Sequence, residues 1–234
     1  DHMGPFTFNG LRFLLGAASL LPLLWWLKSR QPTGQSCDRR LLLTGGLLAG
    51  VVLFSAASLQ QVGLLYTTAA KAGFITGLYI ILVPVIGLAL RHKTGANTWV
   101  GALIAMAGLY YLSVTEEFTI GYGDLLQVIG ALFWAIHLLV LDHYSNRVAP
   151  IRLAGVQFVV CGLLSLGTAF VIETPTLGGA VAGWQALLTV VAAAILFAPA
   201  LLTRIWLITL DQPFWLGPLG TTPTMARFIE ETIE

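Results

Sequence analysis

Seven stretches of this chain are apolar almost without interruption: residues 6–27, 41–59, 72–90, 98–114, 125–141, 153–172, and 184 to about 207. A helix needs about 20 mostly apolar residues to cross a bilayer, with a range of roughly 17–25. Pro22, Pro84 and Pro199 fall inside these stretches. Membrane helices tolerate such prolines, which often mark kinks. The pattern predicts an all-α fold, a polytopic membrane bundle of about seven transmembrane helices.

Composition agrees. Charged residues make up 10% of the 234 positions and apolar residues 57%, whereas soluble domains carry about 25% charge. There is too little polar surface to clothe a soluble core of this length, so the lipid bilayer is the expected surrounding. The formal net charge is +1, and the basic residues sit in short linkers rather than patches. That pattern gives no hint of nucleic acid, and none is expected as a partner. Cys37 and Cys161 are too few for a disulfide framework. The first apolar stretch has no basic leader segment and is followed by further spans, so it reads as a span rather than a cleaved signal.

The linkers divide by charge. Lys28, Arg30, Arg39 and Arg40 follow the first span, Arg91 and Lys93 the third, and Arg147 and Arg152 the fifth. The opposite linkers hold a single basic residue, Lys71, with Glu116, Glu117, Asp124 and Glu173. By the positive-inside rule the basic linkers are cytoplasmic. The first residues are then expected on the periplasmic side and the tail in the cytoplasm.

The chain also repeats itself. Pro5-Phe-Thr-Phe-Asn-Gly-Leu-Arg12-Phe13 returns 145 residues later as Pro150-Ile-Arg-Leu-Ala-Gly-Val-Gln157-Phe158, and Leu42-Leu43-Thr44 returns as Leu187-Leu188-Thr189. Pro5 and Pro150 open the first and sixth spans, and an odd separation reverses direction, so the copies are inverted. Inverted repeats are a common construction of small-solute transporters. With a period of five spans, residues 1–122 form a first repeat lacking its opening helix. Residues 123–210 form an incomplete second repeat, and 211–234 a divergent polar tail with Glu230, Glu231 and Glu234. The full pattern would have ten helices (5+5), so the chain reads as an excerpt, truncated at both ends.

Four segments carry a family likeness: Lys71-Ala-Gly-Phe-Ile-Thr-Gly-Leu-Tyr79, Thr98-Trp-Val-Gly-Ala102, Ala107-Gly-Leu-Tyr-Tyr-Leu-Ser-Val-Thr115 and Gly123-Asp-Leu-Leu-Gln-Val-Ile-Gly-Ala-Leu-Phe-Trp134. Together they resemble the EamA-type permeases of the drug/metabolite transporter superfamily. The resemblance implies a bacterial inner (plasma) membrane protein, a ten-helix bundle of two inverted repeats, and export of amino acids, drugs or other small metabolites. It runs from about Gly4 to the start of the seventh span and is expected to end near Ala198.

Six residues are candidates for solute binding. Arg12 lies about 9 Å into the first span at 1.5 Å per residue, where a charge costs roughly 2.5–3.5 kcal/mol and should face a cavity or partner. Its repeat counterpart is the neutral Gln157; the alternative is an anchor reaching the headgroups. Asn9, three residues earlier, shares its face and either extends a polar lining or hydrogen-bonds a neighbouring helix. Lys71 either attracts anionic or zwitterionic solute at the outer mouth or snorkels at the interface. Gln60 and Gln61 end the second span at the same level. Trp134 and His137 share a face of the fifth span and fit an apolar or aromatic amine, or an interfacial pair. Tyr79 is cavity lining or core.

No GxxxxGK[ST] loop is present, so coupling would come from ion or substrate gradients. The sequence calls for no cofactor and no metal; Asp142-His143 near His137 reads as interfacial polar residues. An intramembrane enzyme would need a framed nucleophile or metal motif, and neither Gly-x-Ser-x-Gly nor His-Glu-x-x-His occurs. The expectation is therefore a secondary transporter of small-molecule solutes, with a truncated, non-functional or accessory membrane piece as the alternative.

Overall fold

The computed structural model describes residues 3–30, 38–90, 95–113, 121–145, 147–173, and positions 184 and 188. Seven helices occur among them: α1 (Pro5–Arg30), α2 (Arg39–Gly63), α3 (Ala69–Gly77), α4 (Tyr79–Ala89), α5 (Ala96–Ser113), α6 (Tyr122–Ser145) and α7 (Pro150–Ile172). All belong to one compact unit, Asp1–Leu187. Trp184 and Leu188 are helical and exposed; the rest of the expected seventh span lies outside the described residues, as do Pro199 and the polar tail.

Local chemistry sets where these helices begin. α1 and α7 both open on proline, whose missing N–H would have no helical partner at that position. Asp38 caps α2, accepting from the backbone N–H of Arg40 at 3.0 Å and Leu41 at 3.3 Å. Thr68 caps α3 by accepting from the Lys71 N–H at 3.3 Å. Such side-chain oxygens satisfy N–H groups that the first turn leaves orphaned.

The expected third span is one length of chain but two helices. Ala69–Ala89 makes 21 mostly apolar residues, broken at Leu78, whose N–H reaches back three residues to the Ile75 carbonyl at 3.1 Å. Gly77 just before the break is a poor helix former, and Pro84 leaves the Ile80 carbonyl without its usual donor. The break thus precedes the proline that marked the kink. Pro22, by contrast, sits inside an unbroken α1. α2 runs past Gln60 and Gln61, the expected end of the second span, to Gly63. By length and composition four spans qualify as membrane-crossing among the described residues: Arg39–Gly63, Ala69–Ala89, Tyr122–Ser145 and Pro150–Ile172.

Burial is distributed as lipid demands. Ala49, Ala56, Ala135, Cys161, Ser165 and Ala169 are completely buried, while Trp25 is 77%, Tyr111 83% and Val171 85% exposed. Small residues therefore fill most of the interior, with Leu53, Ile75 and Leu153 among the larger ones there, while many large apolar side chains face outward. Lipid tails give apolar helices no reason to hide from their surroundings, so association depends on close contact and interhelical hydrogen bonds.

The helices pack in a row, with α7 against α1 and α2, α6 against α2, α3 and α4 against α6, and α5 on α3 and α4. Phe13 of α1 meets Phe158 of α7 with ring centres 5.7 Å apart, and Gly4 at the start of α1 lies by Glu173 just past the end of α7. These helices are therefore antiparallel. α2 runs with α7, since Gly46 meets Val156 and Gly50 meets Val160. It runs against α6, since Gly45 meets Tyr144 and Gly63 meets Gly123. These directions are the ones a chain crossing back and forth would have. Arg39, Arg40, Arg147 and Arg152 gather at one end; Lys71, Asp124 and Glu173 gather at the other.

A crossing of backbone against backbone lies at that second end. A Cβ on Gly123 would lie 2.7 Å from the Gly63 carbonyl oxygen and 2.8 Å from the Tyr66 carbonyl carbon. Both obstacles are backbone and cannot rotate away. Gly123→Ala should therefore cost about 1–3 kcal/mol through overpacking, read as a lower unfolding temperature of the detergent-solubilised protein; an unchanged midpoint would show that α2 and α6 can part there freely.

Candidate functional site

Asn9 is fully buried. Its Nδ2 donates to the Ala57 carbonyl of α2 at 3.1 Å, and its Oδ1 accepts from Arg12 Nη2 at 2.7 Å. The Arg12 guanidinium also lies over the rings of Phe13 at 4.9 Å and Phe8 at 5.4 Å. Such cation–π contacts contribute about 0.5–2 kcal/mol each, which offsets much of the cost of placing a charge within a span. Helical spacing put Asn9 and Arg12 on one face, and the bond to Ala57 of α2 is the neighbouring-helix alternative expected for Asn9; which carbonyl it takes, and the ring faces, had no sequence signal. Gln157, the repeat counterpart of Arg12, is buried on α7, and its Oε1 has no hydrogen-bond partner among the described residues.

Lys71 pairs with Asp124 at 2.6 Å. Asp124 is almost fully buried; it also accepts from Thr67 Oγ1 at 2.6 Å and from the Gly121 N–H at 2.8 Å. The last bond is a capping arrangement, in which a third-position acidic side chain reaches back to the N–H opening its own helix. The sequence places Asp124 merely in a linker and gives Lys71 a role at the mouth or at the interface. The structure gives Lys71 a carboxylate partner on α6 instead.

Gln127 lies one turn further into α6 and is also fully buried. Its Nε2 donates to the Gln60 carbonyl at 2.9 Å, and its Oε1 accepts from Thr76 Oγ1 at 3.1 Å. Gln60 Nε2 reaches the same threonine hydroxyl at 3.4 Å. At the same end of the bundle the Glu173 carboxylate accepts from the Phe6 N–H at 2.8 Å, the Thr7 N–H at 2.9 Å and Thr7 Oγ1 at 2.6 Å. It thereby caps the positive end of α1 from the far end of α7. Gly4 makes room, since a Cβ there would run into the Glu173 carboxylate.

Trp134 and His137 make an edge-to-face contact at 5.9 Å. His137 is buried and Trp134 half-buried; among the described residues neither Trp134 Nε1 nor His137 Nδ1 has a hydrogen-bond partner. Tyr79 opens α4, half-buried. The structure thus joins Asn9 to Arg12 and Trp134 to His137, and leaves Lys71 and Tyr79 in other places. Among the described residues no group of three or more His, Cys, Asp or Glu side chains could hold a metal.

A cavity of about 560 Å³ opens near the Glu173 end, and none of the six candidates lines it. Phe6 of α1, Phe54 and Ser58 of α2, Tyr122 and Phe133 of α6, and Thr168 of α7 form its wall. Thr168 Oγ1 donates to the Leu164 carbonyl at 2.9 Å, whereas Ser58 Oγ has no partner. The volume lies in the range of small-molecule sites, about 300–1,000 Å³. Its aromatic walls went unread because nothing distinguishes them from other large residues in an apolar run.

Comparison with known proteins agrees with this architecture. The EamA-like transporter family matches in two segments, residues 1–114 and 121–213. The match passes Ala198, where the resemblance was expected to end, by 15 residues (213 minus 198). An "Uncharacterized transporter" of Archaeoglobus fulgidus is 34% identical over 168 residues, covering 70% of this chain and 49% of that protein. "Uncharacterized transporter YetK" of Bacillus subtilis is 30% identical over 115 residues, 49% of this chain and 34% of that protein. The chain therefore spans half or less of the length of these curated relatives. No solved structure matches. With its apolar, small-cored helices and a family match over most of its length, the chain belongs to the EamA-like transporter family, a family of polytopic helical bundles.

Proposed function

We propose that this chain works in a secondary transporter that exports small metabolites, such as amino acids or drugs, from the cytoplasm by alternating access. The moving parts are two inverted repeats, residues 1–122 and 123–210. The observation that carries this reading is the pairing of α1 with α7. These two helices open on matching sequence, Pro5–Phe13 and Pro150–Phe158, and they lie against each other in opposite directions. Inverted copies related by an axis in the membrane plane have this relation. The break between the two matched family segments, 114 to 121, supports a boundary near residue 122. The cavity supports it too, since α1 and α2 supply one wall and α6 and α7 the other.

In this reading the Arg39 and Arg152 end faces the cytoplasm of a bacterial inner membrane, and the Glu173 end faces outward. Arg12 offers its remaining guanidinium donors to an anionic or carboxylate-bearing part of the solute, and Asn9 fixes its orientation. Trp134, His137 and Tyr79 contribute aromatic surface along the route. Lys71, already paired with Asp124, acts at the outer mouth.

Transport by the full-length protein, reconstituted in vesicles and surveyed with a panel of metabolites, tests the reading; no flux for any solute against empty vesicles would count against it. Arg12→Gln, which copies Gln157, should insert and fold normally. It should weaken apparent solute affinity about tenfold or more, the equivalent of a lost charged hydrogen bond of roughly 1.5–3 kcal/mol. Unchanged uptake kinetics would reduce Arg12 to an anchor. Phe54→Ala should widen the cavity and raise KM for ring-bearing solutes while leaving membrane insertion intact, measured by the same flux assay.

A further inference from the structure

The two carboxylates at the Glu173 end bind in one direction, beside the Gln127 bonds to Gln60 and Thr76 that join the same stretches. Glu173 lies just past α7, and its three donors are Phe6 N–H, Thr7 N–H and Thr7 Oγ1, all at the start of α1. Asp124 lies on α6, and two of its partners, Lys71 and Thr67, lie at the start of α3 and just before it. In both cases the acceptor belongs to the stretch after residue 122 and the donors to the stretch before it. Two carboxylates on one side therefore hold two donor clusters on the other.

Both clasps adjoin the cavity. Phe6, whose N–H is bound by Glu173, is part of its wall, and so is Tyr122, two residues from Asp124. The cavity also contains the unpartnered hydroxyl of Ser58, buried in this arrangement. Toward the opposite end the same helix pairs meet through packing of another kind: Tyr144 against Gly45, Val156 against Gly46 and Phe158 against Phe13. Smooth contacts between side chains and glycines can slide or tilt, whereas a carboxylate fastened to N–H and ammonium donors releases in one step.

We propose that Asp124 and Glu173 form the outer gate of the cavity, two carboxylate clasps that hold the repeats together at the Glu173 end. In the structure both clasps are made. Opening separates Glu173 from the α1 start and Asp124 from Lys71 together, because both join the same two bodies. Water then reaches Ser58 from the Glu173 side. This inference rests on the alternating-access reading above.

The test uses the full-length protein in vesicles, with Cys37→Ser and Cys161→Ala and a reporter at Ser58→Cys. The probe is a membrane-impermeant maleimide supplied from the Glu173 side. Labelling should be slow in this background. It should be about tenfold faster in Glu173→Gln or Asp124→Asn, as expected for loss of a charged hydrogen bond, and faster again with both. Thr7→Val keeps the carboxylate but removes one donor, and should accelerate labelling to a smaller degree. A second reporter, Tyr144→Cys at the opposite end, should label no faster in these variants. Unchanged labelling of Ser58→Cys in the double variant overturns the gate, and so does equal acceleration at both reporters, which would mean general loosening. Solute flux in the same vesicles separates the two readings. Labelling that follows the clasps without any flux leaves the gate standing and removes the transport assignment; flux with labelling indifferent to the clasps does the reverse.

Discussion

Close backbone approach is the constraint on which this bundle depends. In lipid, apolar side chains gain nothing by leaving their surroundings for one another, so the helices must be held by contact area and by hydrogen bonds. Both need the helix axes near each other, and only small residues permit that. Where α2 meets α6, Gly63 and Gly123 bring main chain against main chain. Gln127 can then reach the Gln60 carbonyl and Thr76 across the same joint. The polar network is a product of the small residues beside it: with larger side chains at the crossing, those partners would be out of reach.

The same economy explains how three of the buried polar groups are placed. Asn9, Gln127 and Asp124 are all more than nine-tenths buried, and each bonds to a group on another helix or in the loop preceding one. A polar group in hydrocarbon without a partner costs several kcal/mol, so each of these side chains works as a specific link between segments. Arg12 is the variant case. Its charge is met within its own helix by Asn9, Phe8 and Phe13, which helps a cation reside in a span.

Much of the fold was legible because it rests on long signals. Twenty apolar residues in a row leave few structures to choose from, and the charges between the runs give the alternation that the antiparallel α1–α7 and α2–α6 pairs display. The break at Leu78 was hidden because hydropathy carries no record of which carbonyl an N–H selects. Among the site residues, spacing on one helix was readable: Asn9 with Arg12, and Trp134 with His137. Pairing between helices was not. Lys71 and Asp124 lie 53 positions apart (124 minus 71), and Glu173 lies 167 from Phe6; composition alone offers Lys71 and Glu173 many possible neighbours. The cavity is a property of how four helices meet, so no single stretch could announce it.

A soluble protein guards its large residues and lets its polar coat vary. Here the assignment is largely reversed, with many Gly and Ala residues inside and many Leu and Val side chains exposed. Exchanging one large aliphatic residue for another on the outward faces changes little that a bilayer can sense. Adding a single methyl group at an interior glycine moves a helix. Mutational freedom in this molecule should thus be found on its oily exterior, while its lineage is held by the side chains that are hardly there.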